Sequence, residues 1–174
     1  LRPSFTIDML EKSYEIKIKN IKFKIRIDRV DRIDGNHKLL IDYKTGKNVI
    51  SRKALFSNDL TDLQLPIYAC FTSINGLSGV AIGHINRGKI NLYGVLSSES
   101  TSITKQLSSK IDNLTIKDWH SLTNIWRYKI ENIVEQYLSG NAAVTFDENI
   151  DFTYCDVLPL LRLAEKKYQF EFYG

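Results

Sequence analysis

From Tyr14 to Lys44 the chain alternates apolar and polar residues with a period of two, the pattern of half-buried strands. Tyr14, Ile16 and Ile18 form one face against Glu15, Lys17 and Lys19. Asn20 breaks the phase, and Ile21, Phe23, Ile25 and Ile27 then face away from Lys22, Lys24, Arg26 and Asp28, as the second arm of a hairpin should. Asp34-Gly35-Asn36 is a turn signal, and Leu39 to Lys44 is a third strand ending at Thr45-Gly46. Three antiparallel strands are predicted. A polar loop from Lys47 to about Asn58 leads to Leu60, Leu63, Ile67, Phe71 and Ile74 at helical spacing, with Pro66 placing the first turn near itself or kinking the helix. Asn75-Gly76 ends that helix. Val80 to Ile85 and Lys89 to Val95 read as a further hairpin across Asn86-Arg87-Gly88. Trp119, Leu122, Trp126, Ile130, Ile133, Val134 and Tyr137 trace the stripe of a last helix that stops at Gly140. The fold class expected is α/β, a mixed central sheet flanked by helices.

Composition narrows the setting without choosing a partner. The 174 residues are 43% hydrophobic and 25% charged, the balance of one soluble globular domain, here residues 1–174. The absence of an initiator Met leads us to expect a C-terminal fragment of a longer protein. A formal charge of +4 allows a polyanionic partner but does not demand one. Cys70 and Cys155 lie far apart, without the paired spacing of a zinc site, which fits a reducing cytoplasmic location. No apolar run approaches the roughly 18 to 20 residues of a membrane span.

Candidate chemistry concentrates where strands end. Asp42 and Lys44, two apart on a strand, project from one side, and the turn near Asp34 to His37 folds Asp28 back beside them. Two carboxylates meeting there repel unless a hard cation lies between them, and Mg²⁺ takes few carboxylates together with water and phosphate oxygens. A protonated lysine beside such an ion can orient a water or offset charge developing on phosphorus. Asp-x-Lys alone is also a common solvated edge pair, worth about 0 to 1 kcal/mol. Gln64 and Tyr68, four apart, are neighbours on one helix face, and alone they read as the edge of a buried stripe.

In order, Asp28-Arg29-Val30-Asp31, Ile41-Asp42-Tyr43-Lys44-Thr45-Gly46 and Gln64-Leu65-Pro66-Ile67-Tyr68-Ala69 resemble the nuclease core of the RecB and AddB branch of the PD-(D/E)XK superfamily, over about residues 10 to 165. The resemblance implies a restriction-endonuclease-like fold and a Mg²⁺- or Mn²⁺-dependent deoxyribonuclease, an exonuclease acting in recombination or repair and attached to a helicase-like region. It gives Asp28 and Asp42 metal-ligand roles, Tyr43 a backbone carbonyl toward the ion, and Lys44 the role of catalytic lysine. Gln64 and Tyr68 would lie against the active site and the DNA strand. Arg29 and Lys47 are candidate DNA contacts, although a salt-bridged strand surface for Arg29 with Asp31, and a solvated loop for Lys47, Arg52 and Lys53, are the plainer readings. A nuclease-fold domain that binds DNA or scaffolds without cutting is the alternative function.

The chain departs from that pattern twice. Its tail resembles the C-terminal segment that supplies iron–sulfur ligands in AddB-like members, but Phe152 and Leu161 stand at two ligand positions and only Cys155 remains. A cluster needs about four thiolates, so none is expected. Before Tyr14 nothing is long enough for the helix that carries an upstream His or Glu ligand, and Glu11 and Glu15 are weak substitutes. His37, His84 and His120 share no ligand spacing and are read as structural or solvated. The lysines from Lys17 to Lys24, with Arg26, form a basic strand face that suits either a DNA backbone or protection of an edge strand.

Overall fold

A computed structural model describes residues 5–34, 36–46, 60, 62–86, 89–97, 114–116 and 118–141. The chain divides into two compact units, residues 1–139 and 140–174, and only Gly140 and Asn141 of the second are among the described residues. The first unit runs β1 (Thr6–Ile18), β2 (Ile21–Asp34), β3 (His37–Lys44), α1 (Gln64–Phe71), β4 (Leu77–Asn86), β5 (Lys89–Ser97), β6 (Leu114–Ile116) and α2 (Trp119–Leu138). The strands form one mixed sheet in the order β1-β2-β3-β4-β5-β6. Pairs β1/β2, β2/β3 and β4/β5 are antiparallel, as alternation and turn residues predict, whereas β3/β4 and β5/β6 are parallel. A parallel pair needs a crossover, and between β3 and β4 that crossover carries α1.

Both described helices pack on one face of the sheet. There Val30, Leu40, Val80, Ile82 and Val95 of the strands meet Leu65 and Tyr68 of α1 and Leu122, Trp126, Ile130 and Val134 of α2. Trp126, 1% exposed, is the largest side chain wholly inside, and Trp119 meets it edge to face at 5.8 Å. The other face carries a smaller cluster of Ile33, Leu39, Ile41, Ala81 and Leu96. Asp118 caps α2 by accepting from the Ser121 N–H at 2.9 Å. Cys70, at the end of α1, donates to the Thr123 carbonyl at 3.2 Å, and Arg127 stacks over Phe71 and reaches the Cys70 carbonyl, so the two helices are tied by polar as well as apolar contacts. Burial pushes the Cys70 thiol up to about 12, which makes it an inert core residue at neutral pH.

Several elements depart from their predicted limits. β1 begins at Thr6, in a stretch with no clean alternation, and α1 is confined to Gln64–Phe71, leaving Leu60 and Ile74 buried outside it. Pro66 is its third residue, where no intrahelical N–H is needed. At the start of β4 the Gly76 carbonyl accepts from Lys38 N–H at 2.8 Å. A side chain at Gly76 would collide with the Asn36 backbone oxygen, and its φ of 75° is itself a glycine conformation.

Near Asp28 the alternation slips on β1 and β2 together. Lys12 pairs with Ile27 and Met9 with Val30, and Met9, Ile27 and Val30 all contact the helix-side core although Ile27 and Val30 are three apart. Glu11, between them on β1 and opposite Asp28, takes a left-handed φ of 46°. The slip moves Asp28 out of the solvent-side series of Lys22, Lys24 and Arg26, where strict alternation places it.

Candidate active site

Extending the β2/β3 pairing one residue past Arg29↔Ile41 sets Asp28 opposite Asp42, and directly opposed residues of an antiparallel pair share a face. Asp28 Oδ2 accepts the Tyr43 N–H at 2.9 Å, which ties its carboxylate to the end of β3. Asp42 is 2% exposed, and it continues the helix-side row of Leu40. Lys44, next on that row, brings Nζ to 2.8 Å from Asp42 Oδ2.

Gln64, the first residue of α1, closes the group. Its Nε2 donates to Asp42 Oδ1 at 2.6 Å and to the Tyr68 hydroxyl at 3.0 Å, while its Oε1 accepts from Lys44 Nζ at 2.5 Å. Only one amide orientation suits these neighbours, because a carboxylate accepts and an ammonium donates. Gln64 therefore bridges both members of the ion pair, and Tyr68, one turn on and buried, holds the bridge from behind. Asp62 Oδ1 in turn accepts the Gln64 N–H at 2.9 Å.

Burial is the largest influence on Asp42 and raises its pKa above the ordinary carboxylate value, outweighing the lowering by Lys44; Asp28 and Asp62 add to the rise by repulsion. Burial also acts most strongly on Lys44, in the lowering direction, but the adjacent Asp42 carboxylate, with the charges of Asp62 and Asp28, holds its pKa above the usual value. The two directions describe an asymmetric pair: the Asp42 side chain is 3% exposed and that of Lys44 31%, so the acid has lost more of its water. Lys44 approaches Asp42 Oδ2 off the hydrogen-bonding direction, so this buried oxygen is charge-paired and has no hydrogen-bond partner.

A buried carboxylate oxygen with open capacity, a second carboxylate on the adjoining strand and a strand-end carbonyl form the oxygen-rich set that a hard divalent cation takes. Among the described residues no group of three or more His, Cys, Asp or Glu side chains is arranged to hold a metal. Two carboxylates suit a cation that keeps water and phosphate oxygens in its remaining positions.

The other sequence candidates lie elsewhere. Arg29 pairs through Nε with Asp31 at 2.6 Å, and its Nη1 lies 3.4 Å from the Tyr43 hydroxyl. This cluster is on the face opposite Asp42, with Asp31 wholly buried, so the pair is an interior one rather than a strand-surface one. The Tyr43 ring packs over Gly83, its β4 neighbour. Lys47, Arg52, Lys53 and the tail with Phe152, Cys155 and Leu161 lie outside the described residues. His37 and His120 take no part in the group. Lys17, Lys22, Lys24 and Arg26 are exposed, and Arg26 pairs with Glu11 at 3.0 Å.

One residue near the site, Asp62, escaped the sequence reading, and another, His84, was read there as structural or solvated. Asp62 stands two positions before α1, and an acid there is a helix-start signal that the broader Leu60-to-Ile74 stripe obscured. His84 pairs in register with Lys44, is buried, and contacts the Gly46 carbonyl through Nε2 at 2.9 Å. A carbonyl only accepts, so Nε2 carries the proton and anchors the chain just after Lys44.

A family model described as the PD-(D/E)XK nuclease superfamily matches residues 2–159. No curated protein matches the chain. The solved structure described as "Crystal structure of SSO0001" aligns with 90% of the chain at 17% identity and a TM-score of 0.38. The chain spans 57% of the length of that protein. No helix among the described residues is long and apolar enough to cross a membrane.

Proposed function

The chain belongs to the PD-(D/E)XK nuclease superfamily, whose members are typically nucleases and generally use divalent metals, and from that premise we propose that it hydrolyses phosphodiester bonds of DNA with Mg²⁺ or Mn²⁺. The observation that carries the reading is the Asp42–Lys44–Gln64 group, an acid, a cation and a bridging amide within hydrogen-bond reach, facing Asp28 across two strands. Asp28, Asp42 and the Tyr43 carbonyl would hold the metal. When bound, such a cation supplies Lewis-acid polarisation of the scissile phosphate.

The protein's own residues do the rest. Lys44 places its ammonium beside Asp42, where it orients the attacking water and offsets charge building on the phosphate. Gln64 fixes the separation of Lys44 and Asp42, and Tyr68 fixes Gln64. The hydrogen-bonded Gln64–Tyr68 pair on α1 supports placement in the RecB and AddB branch. On that basis the activity is exonucleolytic, serves DNA recombination or repair, and is joined in the full protein to a helicase-like region.

The test is degradation of linear single- and double-stranded DNA by the full-length protein. The wild type is expected to cut with Mg²⁺ or Mn²⁺ and stop with EDTA, and Asp42→Ala and Lys44→Ala are expected to be inactive. DNA binding without cutting, equal in wild type and variants, would make the domain a scaffold and end the enzyme reading.

A further inference from the structure

We infer that Asp62 is a positioning residue, which sets Gln64 and through it the spacing of Asp42 and Lys44; this rests on the nuclease reading above. α1 has no cap from the residue that precedes it, since Leu63 is apolar and already helical in its backbone. The carboxylate one position earlier does that work, with Asp62 Oδ1 accepting the Gln64 N–H at 2.9 Å. The consequence reaches beyond helix stability, because Gln64 is both the first residue of α1 and the side chain bridging the ion pair. Fixing its backbone nitrogen fixes the root of that side chain. Gln64 has hydrogen bonds at 2.5 and 2.6 Å on its two amide atoms, so a small rotation of the helix start lengthens one or both.

An alternative role for Asp62 is a direct one, as a third acid in the field of the cation. The geometry favours positioning: its Oδ1 is spent on the Gln64 amide, and Asp62 with Asp28 and Asp42 is not arranged as a three-acid metal cluster. The two roles separate cleanly by substitution. Asparagine keeps the accepting oxygen and removes the charge, whereas alanine removes both.

The experiment measures kcat and KM for DNA cleavage by the full-length protein and its Asp62→Ala, Asp62→Asn and Gln64→Ala variants and the Asp62→Ala/Gln64→Ala pair. Asp42→Ala serves as the inactive control. Amide hydrogen exchange at Gln64 is followed in parallel. Asp62→Ala is expected to lower kcat about tenfold with KM unchanged, the loss that misplacement of a working group produces. Asp62→Asn should return to within about twofold of wild type, and the double variant should be no slower than Gln64→Ala, since residues acting through one another are not additive. Gln64 amide protection should fall in Asp62→Ala and survive in Asp62→Asn. The inference is overturned by an Asp62→Ala enzyme as fast as wild type, by an asparagine variant as slow as alanine, or by multiplicative losses in the double variant. Should Asp62→Ala not fold, Asp62→Gly, which also lacks an accepting side chain, takes its place. A wild type that does not cut ends the nuclease reading, and unchanged Gln64 protection in Asp62→Ala then ends the structural part separately.

Discussion

The two halves of the Asp42–Lys44 pair are unequally buried, so deleting them has unequal costs. In Lys44→Met the group left behind is a carboxylate 3% exposed, which keeps Gln64 Nε2 and loses the neutralising ammonium of Lys44. Breaking a buried pair in this way costs about 3 to 5 kcal/mol at the extreme. The retained Gln64 hydrogen bond and the option of taking up a proton bring the expected loss to about 2 kcal/mol. That lowers Tm by about 4 to 8 °C for a chain of this size. In Asp42→Asn the group left behind is an ammonium 31% exposed, which keeps water and Gln64 Oε1, and the expected change is within about 1 kcal/mol. pH supplies the decisive contrast. Asp42 already has a raised pKa in the folded protein, and removing Lys44 raises it further, so the folded state binds its proton at higher pH than the unfolded chain does. Stability is therefore lost as pH rises from the ordinary carboxylate value through the raised one, and regained as pH falls. Thermal melts at pH 8 and pH 5 should show the Lys44→Met deficit large at pH 8 and shrinking at pH 5, with Asp42→Asn flat across the same interval. Equal losses in both variants, or a Lys44→Met deficit independent of pH, would refute the reasoning.

Gln64→Glu sets a further carboxylate against Asp42, and it should lower both thermal stability at neutral pH and cleavage, with the stability recovering on acidification; melts and a gel assay check it. Gly83→Ala puts a Cβ at 2.6 and 2.7 Å from Tyr43 ring carbons, so the ring must swing away, at about 1 to 2 kcal/mol by urea unfolding. Trp126→Ala empties the centre of the helix-side core and should cost about 3 to 5 kcal/mol by the same measurement.

Much of this arrangement was readable from residue order. The alternation of Tyr14 to Ile18 against Ile21 to Ile27, the chain reversal that pairs Asp34 with His37 and the strand ending at Lys44 all appear in the fold, because each rests on local periodicity or turn chemistry. The grouping of Asp42, Lys44, Gln64 and Tyr68 followed from spacing and resemblance. What local pattern could not supply was the face of Asp28. Strict alternation groups it with the exposed Lys22, Lys24 and Arg26, and the slip between Ile27 and Val30, beside the left-handed Glu11 of the neighbouring strand, takes it out of that series. The start of α1 was hidden for a related reason: Leu60 and Leu63 fit a helical stripe, yet they enter the core from outside the helix. Arg29 and Asp31 looked like surface charges because charge is usually solvated, and burial of their pair is a property of the assembled back face.

The sheet's strand order repeats the chain's own order, and biosynthesis meets that geometry from the amino-terminal end. β1, β2 and β3 join through antiparallel neighbours with short loop closures, so both acids and their lysine reside in one meander of low sequence separation. Gln64 lies 22 residues beyond Asp42, on the crossover that must be made before β4 can dock in parallel. The site thereby joins a local part to a distant one: the charged groups lie on neighbouring strands of one meander, and the amide that sets their spacing comes from the crossover.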